Sequence, residues 1–158
     1  SVLFDLYELG LLAEFFALPL EICTTDFVFA EIQQNEQQQV FHVWVAMDRL
    51  TILTTPAEEI DAIQDDETVS SLLSFPDKTL LWHTKHLEGT LLSGDKKLRL
   101  LAEKLAIEVH GVLWVVDVLV NQKLLDESMA IDKLQQLKAI NPRLSVQLIN
   151  KQIEKLKK

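Results

Sequence analysis

Cysteine is almost missing from this chain. Cys23 stands alone in an apolar stretch, so no intrachain disulfide forms, and a reducing, cytoplasmic setting is expected. A free cysteine is commonly a small buried residue, and that is the role expected of Cys23. Positive charge is also short. Fifteen Lys and Arg against 24 Asp and Glu leave a net charge of −9, which argues against a protein that coats nucleic acid by overall electrostatics. It leaves open an approach through bound metal and a few local cations. No uncharged apolar run reaches a membrane span, and no secretory signal pattern opens the chain. HExxH, Cys/His zinc spacing, GxGxxG, the P-loop and GxSxG are all lacking, which weakens zinc, dinucleotide, nucleotide-triphosphate and serine-hydrolase readings. His42, His83, His86 and His110 form no ligand pattern, and His83 and His86 are expected to be partly exposed. No internal repeat is present.

What remains is a chain of 158 residues, 48% hydrophobic and 25% charged, enough for one domain with its own core. It opens at Ser1 inside the apolar run Val2-Leu3-Phe4 with no methionine, so the beginning of a strand is expected upstream. Ser1 to Phe16 reads as a strand end feeding a helix, with Leu6, Leu9 and Ala13 on its buried face. Leu20 to Thr24 reads as a short strand, and Thr24 or Thr25 as the cap of a helix from Asp26. That helix is expected to run, whole or broken, through the exposed glutamine-rich stretch Gln33 to Gln39. Leu50 to Thr55 predicts a strand and Pro56-Ala57-Glu58-Glu59 a helix start. A helix from Asp77 is expected to place Leu80, Thr84 and Leu87 on one side. Ile107 to Gly111 predicts the last strand. Asp126 and Ser145 then cap two helices, the first with Ala130, Leu134 and Leu137 inward, the second with Val146, Ile149, Ile153 and Leu156. Trp44, Trp82 and Trp114 are expected in the core.

The organising stretch is Thr90 to Glu103. It predicts a buried strand, a turn at Gly94-Asp95, and a helix with Leu98, Leu101, Ala102 and Leu105 at i, i+3, i+4 and i+7. Ligands of open α/β sheets bind at the carboxyl ends of strands, which is where Asp95 falls. A competing assignment makes Asp95 simply the N-cap of that helix. Glu31 and Asp77 recur at comparable helix starts. Hard divalent cations take a few such oxygens and keep waters, and they act on phosphodiesters by activating water and stabilising the departing oxygen. Dipole partnering explains three such acids equally well. Lys96, Lys97 and Arg99 form a compact basic cluster, either a solvated helix face or a contact for phosphates.

The segment Leu91-Leu92-Ser93-Gly94-Asp95-Lys96-Lys97-Leu98-Arg99, continuing through Ala102-Glu103, Ile107 to Gly111, Leu113-Trp114 and Asp117-Leu119, resembles the C-terminal half of PIN-domain proteins of the VapC-like toxin type. Leu73-Ser74-Phe75-Pro76-Asp77-Lys78 resembles the family's stretch around its third acid, and Asn141-Pro142-Arg143-Leu144 a version with an added helical hairpin. Residues 70–157 carry the likeness well; Ser1 to Leu12 and Thr24 to Ile32 match more loosely. The resemblance implies a Mg²⁺- or Mn²⁺-dependent endoribonuclease, often encoded with an antitoxin that blocks it. It assigns the second, third and fourth acids to Glu31, Asp77 and Asp95, and supporting hydroxyls to Ser1 and Ser93. The first acid falls just upstream of Ser1. Asp5, one helical turn further on, is expected to point elsewhere and is not substituted for it.

The expected architecture is therefore α/β, a PIN-like parallel sheet flanked by helices, with residues 1–120 as the core and residues 121–158 as a C-terminal helical hairpin. Glu31, Asp77 and Asp95 are the expected metal ligands, and Lys97 and Arg99 the expected contacts to an RNA substrate. An antitoxin protein and a second copy of the chain are the expected partners, and no membrane. Two alternatives stay open. One is a PIN domain without catalysis that binds protein or RNA; the other is a receiver-like phosphoacceptor domain, for which Ile107 to Gly111 offers no lysine.

Overall fold

In the computed structural model, which describes residues 2–69 and 71–158, helices dominate and the strands are short. In chain order the elements are α1 (Val2–Glu8), α2 (Leu12–Phe16), β1 (Cys23–Thr25), α3 (Asp26–Phe29), α4 (Asn35–Ala46), β2 (Thr51–Leu53), a 3₁₀ turn (Ala57–Glu59), α5 (Ile60–Asp65), α6 (Phe75–Leu87), β3 (Leu91–Leu92), α7 (Lys96–Lys104), β4 (Val109–His110), α8 (Val112–Asn121), α9 (Glu127–Ile140) and α10 (Val146–Lys157). Among the described residues the expected single sheet is replaced by two ladders of two strands each. β1 and β2 run parallel, with Cys23 opposite Thr51 and Thr25 opposite Leu53. In the other ladder Leu91 N–H donates to the Glu108 carbonyl and Ser93 N–H to that of His110, both at 2.9 Å. The partner number rises with the residue number, which is the parallel pattern. No helix among the described residues is long and apolar enough to cross a membrane.

The chain divides into two compact units. The first comprises residues 1–19, 92–95 and 110–158. Its opening segment is a helix, not the expected strand end, because Val2, Leu6 and Leu9 repeat at helical spacing and all three are buried. Gly10 then takes a left-handed backbone, φ +70°, where a side chain would be strained. The turn resets the helical phase, so Ala13 faces solvent while Leu12, Phe15 and Phe16 go inward. α8 packs against α1 and α2, and α9 against α1, and Val115, Val116 and Leu119 of α8 and Ala130, Leu134 and Leu137 of α9 are each fully buried. Asp126 and Ser145 cap α9 and α10 as expected, accepting from Met129 N–H at 2.7 Å and Leu148 N–H at 3.3 Å. The hairpin buries Ile149 and Ile153, but Val146 sits exposed in the first turn of α10. Gln152, also buried, donates to the Leu113 carbonyl at 2.9 Å and to Asp117 Oδ1 at 3.0 Å. Asp5 is turned to Asn141, whose Nδ2 donates to its Oδ2 at 2.9 Å, and burial pushes its carboxyl above the ordinary range.

The second unit comprises residues 20–91 and 96–109. Leu73, Leu81, Leu91, Leu98 and Ala102 form one of its apolar clusters, with Leu80, Leu101, Ile107 and Val109 packed against it. The helix from Asp26 breaks after one turn, and the side-chain amide of Gln38 donates to the Ile32 carbonyl beyond the break. α6 starts at Phe75 under a Ser74 cap, two residues before the expected start. Thr79 and His83 are buried on one side and Leu81 on another, in the apolar cluster; Leu80 and Thr84 are half-buried and Leu87 is exposed, so the expected face is corrected to one that is only partly covered. His83 is buried, against expectation, and Cys23 is exposed, because it opens a strand at whose inner positions Thr24 and Thr25 are buried instead. Trp44 and Trp82 are half-buried, as is Trp114 of the first unit, so none is a full core residue.

Candidate active site

Within the second unit two of the three expected acids come into electrostatic reach of one another. Thr25 ends β1 and caps α3, its Oγ1 accepting from Val28 N–H at 3.2 Å. Glu31 lies two residues past α3, its own N–H donating to the Val28 carbonyl at 3.1 Å, and its side chain is exposed. Asp77 sits in the first turn of α6, where its N–H donates to Ser74 Oγ at 3.3 Å and Pro76 occupies a position that needs no N–H partner. Partial burial and the negative charge of Asp77 together push the Glu31 carboxyl above the usual glutamate value. Two acid groups that repel in this way carry excess negative charge at one place.

The third expected acid belongs to the first unit. Asp95 is exposed in the turn between β3 and α7, as the strand-turn-helix pattern predicts. Ser93 is 3% exposed, and its hydroxyl accepts from Asp95 N–H at 3.1 Å. A buried hydroxyl two residues before the acid thus fixes the backbone that presents it. Ser1, the other hydroxyl named by the resemblance, lies outside the described residues. On α7, Lys97 is exposed and Arg99 half-buried. Among the described residues no group of three or more His, Cys, Asp or Glu side chains is arranged to hold a metal ion. A repelling pair of carboxylates nonetheless fits a hard divalent cation that keeps much of its coordination as water, since one or two protein carboxylates suffice for Mg²⁺.

Sequence reasoning missed the polar seam behind this pair. Thr25 Oγ1 and Thr79 Oγ1 are 2.8 Å apart, and both side chains are buried. Thr79 donates to the Pro76 carbonyl at 2.6 Å, so the shared proton is that of Thr25. Asp26 accepts the Thr55 N–H at 2.8 Å, the Thr55 hydroxyl at 2.7 Å and the Phe27 N–H at 2.9 Å. Burial opposes its charge, yet these bonds and the nearby His83 hold its carboxyl below the ordinary aspartate value. His83 Nε2 lies 3.3 Å from Thr55 Oγ1. Because the Thr55 proton is committed to Asp26, hydrogen bonding assigns the proton of His83 to Nε2. Burial lowers the imidazole pKa despite the charge of Asp26. The only advance signal was the spacing of Thr79 and His83, four apart on one helix.

A cavity of about 230 Å³ opens beside the seam, with Cys23, Thr24, Thr25, His83 and Thr84 among its lining residues. Glu31 and Asp77 do not line it, so the concavity and the acid pair are separate features.

The family model DUF3368, described as a PIN domain, matches residues 1–158. No curated protein and no solved structure matches the chain.

Proposed function

Because this chain belongs to the PIN-domain family, whose members are typically metal-dependent nucleases, we propose that it is a Mg²⁺- or Mn²⁺-dependent endoribonuclease. What carries the reading is the family match together with the placement of Glu31 just past α3 and Asp77 in the first turn of α6, within electrostatic reach of one another. An acid pair kept together against its own repulsion is costly for folding alone and useful for holding a cation. Glu31, Asp77 and Asp95 are the proposed ligands, directly or through water. When bound, the cation supplies positive charge at the scissile phosphate and a water acidified for attack. The chain's own contribution is to fix the acids: Thr25 and Ser74 cap the helices that precede or carry Glu31 and Asp77, and Ser93 holds the Asp95 backbone. Lys97 and Arg99 on α7 are proposed to take RNA phosphates, which positions the strand without reading its sequence. An antitoxin that blocks cleavage is the proposed protein partner.

Cleavage of a broad RNA pool in Mn²⁺ and in EDTA, beside Asp95→Asn, tests the assignment. Loss of cleavage in EDTA and in the variant, with the melting temperature nearly unchanged, is the expected result. A large stability loss with cleavage intact would leave Asp95 as a helix cap and sink the assignment. No cleavage and no Mn²⁺ binding would favour a PIN domain that only binds a partner.

A further inference from the structure

We propose that Thr25 and Thr79 are positioning residues, whose buried hydroxyl-to-hydroxyl bond sets the placement of Glu31 against Asp77; this rests on the metal-dependent reading above. The chain of donors is continuous and directional. Val28 N–H donates to Thr25 Oγ1 at 3.2 Å, Thr25 donates to Thr79 Oγ1 at 2.8 Å, and Thr79 donates to the Pro76 carbonyl at 2.6 Å. One end lies inside α3, three residues before Glu31. The other is the residue immediately before Asp77. The Thr25–Thr79 bond joins the two acid-bearing segments directly and is sequestered from water, with Thr25 and Thr79 at 1% and 0% exposure. A hydrogen bond so placed does not exchange readily with solvent, and losing one partner strands the other.

Two further contacts flank it and leave it the role of fine adjustment. Phe27 of α3 meets Phe75 of α6 edge to face, centroids 4.8 Å apart, an arrangement that holds the helices together but tolerates sliding. On the other side, Asp26 is held through Thr55 to His83, one turn along α6 from Thr79. Apolar contact brings the helices together, and the threonine pair fixes their register. Metal sites lose affinity when supporting partners of their ligands are removed, by about 10- to 100-fold in known cases.

The experiment compares Mn²⁺ affinity, measured by the free-ion electron paramagnetic resonance signal, in wild type, Thr79→Val, Thr79→Ser and Thr84→Val. Thr84 is the control, because its hydroxyl also donates to a carbonyl of α6, that of Leu80 at 2.6 Å, so its proton stays within the helix. Thr79→Val is expected to weaken Mn²⁺ binding about tenfold or more, with Thr79→Ser restoring it and Thr84→Val leaving it unchanged. Equal affinity in Thr79→Val and wild type overturns the proposal, as does equal weakening in Thr84→Val. If Thr79→Val does not fold, Thr79→Ala is read the same way. Hydrogen exchange in EDTA separates this from the nuclease reading. If wild type neither binds Mn²⁺ nor cleaves RNA, the nuclease reading fails. Faster exchange of the Ala30, Glu31 and Ile32 amides in Thr79→Val, but not in Thr84→Val, then still upholds the positioning role, and unchanged exchange overturns it.

Discussion

Replacing Glu31 by Gln is expected to stabilise the metal-free protein. The side chain is exposed, yet burial of part of it and the charge of Asp77 raise its carboxyl above the ordinary value of 4.5. A folded-state pKa above the unfolded one means that the folded protein binds the proton more tightly. The stabilisation from that protonation is complete below about pH 4.5 and is lost as pH rises through the folded-state value. At pH 7 the carboxylate therefore opposes folding. Exposure limits the size of the effect, because charge pairs in contact with water are worth about 0.2–1 kcal/mol. A chain of this length gains about 2–4 °C per kcal/mol, so Glu31→Gln should melt about 1–3 °C higher than wild type at pH 7 and low salt. The gain should vanish near pH 4 and shrink in about 1 M salt, where screening acts within about 3 Å. In Mn²⁺ the order should reverse. A ligand at about 100 times its dissociation constant adds about 2.7 kcal/mol to the form that binds it, and only wild type retains the full pair. Circular dichroism melts in EDTA and in Mn²⁺ at the two pH values are the assay. A variant less stable than wild type in EDTA at pH 7, or a gain independent of pH, would refute the reasoning.

Other perturbations follow from single contacts. His83 has a lowered pKa from burial, so its contribution to stability is whole above about pH 6.5 and is lost as pH falls through the lowered value; denaturant titrations of wild type and His83→Gln across pH 5–7.5 should show a shallower slope in the variant. Leu134, fully buried in α9, should cost about 2–5 kcal/mol as Leu134→Ala, read from the urea midpoint. Gln152→Leu leaves the Leu113 carbonyl and Asp117 without their shared donor and should cost about 1–3 kcal/mol, by the same measurement. Ser145→Ala removes a capping oxygen from α10 and should cost about 0.5–2 kcal/mol, whereas Ser145→Asp should restore most of it.

The helical C-terminal part was legible because its signals are local. Asp126 and Ser145 announce helices within three residues of themselves, and Ala130, Leu134 and Leu137 repeat at a spacing that packing preserved. A cap at Thr24 or Thr25 and the turn at Asp95 were likewise read from short patterns, and the cap fell on Thr25; Ser93 was named by the resemblance. What failed was anything decided by a distant partner. The burial of Thr79 and His83 on α6 goes with Thr25 and Thr55, which lie 54 and 28 residues from them; local spacing had instead chosen Leu80, Thr84 and Leu87. Cys23 was misplaced for a related reason, since two threonines with hydroxyl partners occupy the buried positions beside it. Val2 to Phe4 misled because three apolar residues in a row fit a strand and a buried helix equally well. The left-handed turn at Gly10 then shifted the phase that would have buried Ala13.

The same polar residues explain why the acid pair can exist at all. Glu31 and Asp77 repel, and Glu31 is carried on a segment that makes only one helical turn before it breaks. A helix that short has no stability of its own. Left to packing alone, it would relieve the repulsion by moving. It is instead held by Thr25 to Thr79, by Asp26 to Thr55 and His83, and by Phe27 against Phe75. Three independent contacts on three consecutive residues, Thr25, Asp26 and Phe27, exceed what a connecting segment needs, and each is satisfied within the protein. Excess restraint around an unfavourable charge pair is the arrangement expected where the charge has work to do when a cation arrives.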